Sequence, residues 1–142
     1  MDQSRKESLT ALFKSISVLE RKIANEWNSH NELGFSKSHI WILDFLANEG
    51  PMRPSAIAHR LKVTTGGVTV LTAKLLKNGY IERMQSESDR RTAQISITED
   101  GLEILEQSRR QIDKLADSLF GMLTEDEVGA LHTLLDKCLH TN

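Results

Sequence analysis

Apolar residues along this chain fall into stripes with the period of an amphipathic helix, interrupted once by a stretch with the period of a strand. Near the N-terminus Leu9, Leu12, Phe13, Ile16, Leu19, Ile23 and Trp27 recur at steps of three and four. That spacing puts them on one face of a helix of about five turns. Ser4 and Glu7 match the Ser-x-x-Glu capping box and place its start there. Such a stripe can be core or a seam between two copies, and the seam is ahead because the last two helices carry matching stripes. A polar, glycine-containing loop runs from His30 to Gly34. Ser36 can cap a second helix whose Ile40, Trp41, Leu43, Phe45, Leu46 and Ala47 leave little exposed face. Asn48-Glu49-Gly50-Pro51 stops it, since glycine permits a left-handed end and proline cannot continue a helix.

Pro54 fits the first turn of a short helix with Ile57, Ala58 and Leu61 inward. Lys62-Val63 is a turn, and Thr64 caps a longer helix with Val68, Leu71, Leu75 and Leu76 inward. Asn78-Gly79 ends it. The period then changes. Tyr80 to Met84 reads as a strand, and Ala93, Ile95 and Ile97 alternate with Gln94 and Ser96 as its partner. Between them Gln85 to Thr92 holds no apolar residue and is expected to project into solvent as the charged tip of a β-hairpin. Thr98 caps a long helix with Leu102, Leu105, Ile112, Leu115, Ala116, Leu119 and Phe120 in its stripe. Thr124-x-x-Glu127 opens the last, with Val128, Leu131, Leu134, Leu135, Cys138 and Leu139 inward.

The middle of this succession is a helix-turn-helix followed by a wing, a device for gripping duplex DNA. The expected fold is mainly α with a small β-hairpin wing, in one domain over residues 1–142. A winged helix-turn-helix lobe covers about 36–98, and dimerisation helices cover about 4–30 and 99–140.

Composition permits a core, with 39% hydrophobic residues, but only 5% are aromatic, so Leu, Ile, Val and Ala must fill it. No apolar run approaches the roughly 20 residues of a membrane span. The N-terminal segment lacks a signal peptide's uninterrupted apolar stretch. A single cysteine, Cys138, excludes an internal disulfide and suits a reducing cytoplasm, the expected location. Its place on an apolar stripe favours a packed core thiol. The net charge of −2 hides an asymmetry. Between Arg53 and Arg91 stand eight basic residues against three acids, while the remainder holds ten bases and seventeen acids. A basic middle in an acidic protein is what localised phosphate binding needs.

A base-reading helix needs small or short polar residues in its N-terminal half, because bulky ones hold it off the base edges. Thr65, Gly66, Gly67, Thr69 and Thr72 fit that demand, behind the capping Thr64. The glycine pair costs about 1 kcal/mol per residue relative to alanine; it reads either as room for close backbone approach to DNA or as a loosely formed first turn. Lys74 and Lys77 suit phosphates, or are simply solvated. Ser55 can offer its hydroxyl and amide to a phosphate at a helix start, or merely cap it. In Asp89-Arg90-Arg91 an arginine at a hairpin end can enter the minor groove, with the carboxylate fixing its pose.

Several of these features together resemble the MarR (multiple-antibiotic-resistance regulator) family over nearly the full length. Asp89-Arg90-Arg91, the alternating strand, and Ile97-Thr98-Glu99-Asp100-Gly101 are similar to its Asp-x-Arg, strand, Leu-Thr-x-x-Gly pattern. Val68-Thr69 and Gly79-Tyr80-Ile81-Glu82-Arg83 match two further stretches. The resemblance implies a homodimer that binds double-stranded DNA at a pseudo-palindromic operator, with Thr65, Gly66, Gly67, Thr69 and Val70 at the base-reading positions, Arg91 in the minor groove and Asp89 orienting it. It implies a transcription regulator, most often a repressor, released by a small phenolic or lipophilic effector. His39 stands where the family usually has glutamine, and could face an effector pocket with Trp27, His30 and Trp41, although helix packing explains these residues equally well. The peroxide-sensing branch needs a cysteine in the first helix, and the zinc-sensing branch needs histidines in the fifth; this chain has neither. No cofactor, metal site or enzymatic constellation is expected. The competing reading is a winged-helix protein-interaction module without DNA binding.

Overall fold

Short polar side chains set the helix starts. In the computed structural model, which describes residues 2–31, 33–86 and 89–140, six helices and one hairpin form among the described residues. In chain order they are α1 (Gln3–Ser29), α2 (Lys37–Glu49), α3 (Pro54–Leu61), α4 (Thr65–Lys77), β1 (Ile81–Ser86), β2 (Asp89–Ile97), α5 (Glu99–Phe120) and α6 (Glu125–His140). Ser36 and His39 cap α2 reciprocally: Ser36 Oγ accepts from the His39 amide at 3.3 Å, and His39 Nδ1 accepts from the Ser36 amide at 3.0 Å. Thr64 Oγ1 accepts from the Gly67 amide at 3.0 Å, and Thr98 Oγ1 from the Gly101 amide at 3.1 Å. Thr124 and Glu127 form the expected box, with bonds of 3.2 and 2.9 Å. The start of α1 differs from expectation. Asp2, not Ser4, is its cap, accepting from the Arg5 amide at 2.7 Å. A carboxylate both takes the free amide and complements the positive end of the helix dipole, and Ser4 joins the first turn.

The chain divides into two compact units, residues 31–110 and residues 1–30 with 111–142, the boundary falling inside α5. In the first, α2 packs against α3, α4 and β2. Ile40, Ile42, Leu43, Leu46, Ile57, Val68, Leu75 and Leu105 are all but sealed from solvent, and Ile81 and Ile95 of the hairpin are buried too. An Arg109–Asp44 ion pair of 2.8 Å ties α5 to α2 within this unit. The strands pair antiparallel, Ile81 opposite Ile97 and Arg83 opposite Ile95. Pairing continues to Ser86 opposite Asp89, past a register irregularity between Met84 and Ser86. The strands thus run further into the charged tip than the apolar alternation reaches, because backbone pairing needs no apolar side chain. Met52 adds a bridge to Ile95, with bonds of 3.0 and 2.8 Å, so the segment after α2 lies along the hairpin's other edge.

The phase of α5 also differs from expectation. Leu102 is exposed, while Ile104, Leu105 and Ser108 are buried. A close backbone approach sets this phase: a Cβ on Gly101 would stand 2.1 Å from the Tyr80 carbonyl oxygen and 2.7 Å from Ile97 Cγ1. Thr98 completes the junction, its amide donating to that carbonyl at 3.1 Å and its hydroxyl to the Gly79 carbonyl at 2.6 Å.

In the second unit Trp27 and Leu119 are buried. Leu9, Leu12, Phe13 and Ile16 of α1 are exposed, and α6 buries no residue. Val128, Leu131, Leu134, Leu135 and Leu139 are all exposed to between 37% and 62%, and Cys138 is exposed too. Cys138, expected as a packed core thiol, is therefore exposed, and the stripe expected to face inward stays open in the single chain. The helix is amphipathic, and among the described residues none closes over its apolar stripe.

Candidate nucleic-acid interface

The interface is built on the turn between α3 and α4. Lys62 ends α3 in the left-handed region (φ 58°), and the Val63 amide donates to the Ala58 carbonyl at 3.1 Å. The chain reverses there in two residues and enters α4 at Thr64. Pro54 occupies the first position of α3, where its missing N–H is not needed, and Ser55 follows it, exposed.

On α4 the inward row is Val68, Thr72 and Leu75, all buried. The outward row is Gly66, Thr69, Val70, Ala73 and Lys77, exposed at steps of three and four. Thr64 and Thr65 are exposed at the helix start, and Gly67 is half-buried. The structure thus brings Thr64, Thr65, Gly66, Thr69 and Val70 to one accessible helix end. Thr72 does not belong with them: it is 3% exposed and its hydroxyl donates to the Val68 carbonyl at 2.8 Å. Ala73 does belong, and was legible as the position three beyond Val70 and seven beyond Gly66.

Gly66 and Gly67 sit in regular helix, and neither has a positive φ. A Cβ on Gly66 would find Thr64 Oγ1 at 3.8 Å, and one on Gly67 the same atom at 3.4 Å. Gly66 is therefore not required by the chain's own packing, and its cost in helix stability has no return inside the fold.

The basic residues divide. Lys77 is exposed in the last turn, where a cation also offsets the helix dipole. Lys74 turns back to its own chain: its ammonium donates to the Gly34 carbonyl and stands 4.6 Å from the Phe35 ring centre. Arg60 pairs with Glu49 and lies 4.4 Å over the Phe45 ring, so its charge is largely matched within the chain. The backbone of Asp89, Arg90 and Arg91 belongs to β2. The side chains of Ser86 and of residues 89–92 lie outside the described residues, and with them the expected pairing of Asp89 with Arg91.

The four residues suggested for an effector pocket fall in different units. Trp27 is buried at the end of α1, its carbonyl accepting from Gln111 Nε2 at 3.5 Å. His30 is exposed at the cap of α1, with Nδ1 3.2 Å from the Glu26 carbonyl. His39 is buried, capping α2 and meeting Phe35 edge-on at 5.4 Å. Its pKa is lowered, first by burial and then by the Lys74 charge. Trp41 is 39% exposed, against the expectation that α2 shows little surface. Among the described residues, no helix is long and apolar enough to cross a membrane.

A family model described as the MarR family matches residues 35–93. The multiple antibiotic resistance protein MarR of Salmonella typhimurium is 32% identical over 113 residues, covering 79% of this chain and 78% of that protein. An uncharacterized HTH-type transcriptional regulator of Bacillus subtilis, YpoP, is 29% identical over 117 residues, or 82% of this chain and 83% of its own. Among solved structures, a cysteine-to-serine mutant of E. coli MarR complexed with operator DNA superposes with a TM-score of 0.81 at 25% identity, covering 98% of this chain and 99% of that one. A helix-turn-helix with an antiparallel wing, joined to relatives that match over most of both chains, leads to one conclusion: this chain belongs to the MarR family of transcriptional regulators.

Proposed function

We propose that the protein is a homodimeric, sequence-specific repressor that acts in the cytoplasm and binds a pseudo-palindromic operator. The observation that carries this reading is the outward row of α4, small side chains and an unforced glycine exposed at the head of a helix that is otherwise firmly packed. A helix kept bare at that end suits insertion into a major groove, where the N-terminal residues meet base edges. Ser55 on α3 and Lys77 at the far end of the row serve phosphates, and Arg91, oriented by Asp89, serves the minor groove. The solved MarR relative bound to operator DNA supports the same use of this lobe.

Duplication follows from the exposed stripes of α1 and α6. Leu9, Leu12, Phe13 and Ile16 on one helix, with Leu131, Leu134, Leu135 and Leu139 on the other, are more apolar surface than a monomer keeps in water. Two copies joined there carry two α4 helices, which for a duplex means half-sites about 34 Å apart or a multiple of it. A small phenolic or lipophilic effector that alters that separation releases the operator, and the half-exposed indole of Trp41 is the contact it is proposed to use.

Selection of bound fragments from the source genome, followed by titration of the recovered duplex at several salt concentrations, tests the reading. The expected result is a palindrome bound by two protomers, with affinity falling steeply as salt rises and Arg91→Ala weakening it. Recovery of no enriched sequence, or equal affinity for Arg91→Ala and the parent at all salts, removes the operator or the wing from the proposal respectively.

A further inference from the structure

Ahead of Lys77 in the last turn, the outward row of α4 lacks the side chains that read bases by paired hydrogen bonds. Arginine or lysine on guanine, and asparagine or glutamine on adenine, are the usual means. None of these types occurs among Gly66, Thr69, Val70 and Ala73. The row's one hydroxyl, Thr69 Oγ1, donates to the Thr65 carbonyl at 3.2 Å. Apart from that hydroxyl and those of Thr64 and Thr65 at the helix start, what the row offers is apolar. Val70 is 73% exposed, the most open of the large hydrophobic side chains among the described residues. Helical side chains lean toward the N-terminus, over the preceding turn. Val70 therefore leans over Gly66, where there is no side chain and where an added Cβ meets nothing closer than Thr64 Oγ1 at 3.8 Å. Ala73, one turn on, adds a second small apolar group on the other side. The result is a methyl-sized opening in the centre of the proposed base-reading surface.

We propose that Val70, beside the bare backbone of Gly66, reads the C5-methyl group of a thymine in each half-site. This rests on the DNA-binding reading above and adds to it the chemical class of the base that α4 selects. In the major groove thymine alone among the four bases presents a methyl group, so an isopropyl contact separates it from cytosine without a hydrogen bond. Val70 is then a specificity-determining residue, and guanine contacts through arginine are not how this helix chooses its site.

The test replaces each operator thymine in turn by deoxyuridine, which removes the methyl group and leaves the pairing edge unchanged. At one or two positions per half-site the protein should bind about four-fold more weakly, the effect of one lost methyl contact. Val70→Ala, at an exposed position that the fold does not depend on, should bind the thymine and uracil duplexes alike. At the same position 5-methylcytosine should bind about four-fold better than cytosine to the parent protein. Binding of the operator with no uracil-sensitive position overturns the methyl contact while leaving the DNA-binding reading intact. A uracil penalty of equal size in Val70→Ala assigns the methyl to another residue and also overturns it. If no duplex is bound at all, the DNA-binding reading fails, and this inference fails with it.

Discussion

Gly66→Ala should move stability and DNA affinity in opposite directions. The substitution adds one methyl group at the second residue of α4, in helical backbone with no positive φ. Its nearest neighbour would be Thr64 Oγ1 at 3.8 Å, ordinary van der Waals contact, so there is no clash to offset the gain in helix propensity. An alanine in place of a compatible glycine stabilises by about 0.5 kcal/mol, chiefly by restricting the unfolded chain. With a urea slope of about 1.5–2 kcal/mol/M, that raises the unfolding midpoint by about 0.3 M. On DNA the same methyl stands between the helix backbone and the base edges. Losing one well-made base contact costs about 1–3 kcal/mol per half-site. Across two half-sites the smaller figure already weakens binding about 30-fold.

The assay is a pair of titrations on one preparation: urea unfolding by circular dichroism at fixed protein concentration, and fluorescence anisotropy with a labelled operator duplex. Fixed concentration matters because a dimer's midpoint depends on it. A more stable variant that binds as well as the parent would refute the idea that the glycine keeps room for DNA. A variant that loses stability and affinity together would show that the glycine serves the fold, contrary to the open space around it.

Other substitutions separate the remaining roles. Gly101→Ala, the same chemical change, should destabilise by about 3 kcal/mol, because its methyl would lie 2.1 Å from the Tyr80 carbonyl oxygen; a near-normal urea midpoint would mean that this junction yields easily. Lys77→Gln should make the logarithmic salt dependence of operator binding shallower by about one per recognition helix, whereas Lys74→Gln, whose ammonium is held on the Gly34 carbonyl, should leave the slope nearly unchanged. Equal slope changes for both would return Lys74 to the phosphates. Leu135→Lys, on the uncovered face of α6, should convert the protein to monomers in sedimentation and abolish operator binding; a dimer that persists would place the seam elsewhere. His39 is held neutral, its pKa lowered from 6.5 by burial and by Lys74. Its stabilising contribution is therefore complete above about pH 6.5 and declines as pH falls through that value toward the lowered one. Urea midpoints between pH 7.5 and 5 should show this decline, and His39→Gln, which keeps an acceptor for the Ser36 amide, should flatten it.

The sequence was most legible where one residue decides a local geometry. Ser36, Thr64, Thr98 and Thr124 each cap the helix assigned to them, and Pro54 and Gly79 bound α3 and α4 as their chemistry requires. It was least legible where several outcomes share one pattern. Thr72 looks as fit as Thr69 to meet a base, yet a threonine whose hydroxyl is satisfied by the carbonyl one turn back can be buried without cost, and only packing tells the two apart. The stripe of α5 was read from hydrophobicity, but its phase is dictated by where Gly101 meets Tyr80, which turns Leu102 outward and Ser108 inward. Lys74 and Arg60 count as positive charges in any tally, although contacts distant in sequence draw both toward their own chain. The stripe of α6 shows the limit most plainly. Periodicity states that a helix has an apolar face and says nothing of which molecule covers it, so the stripe of Leu131 and Leu135 reads as core or seam, and Cys138, expected as a core thiol, is exposed. The exposed apolar faces of α1 and α6 and the bare row of α4 therefore form one problem: a base-reading surface this small gains specificity only when a second copy presents it again, and the exposed leucines are the surface available to hold that copy.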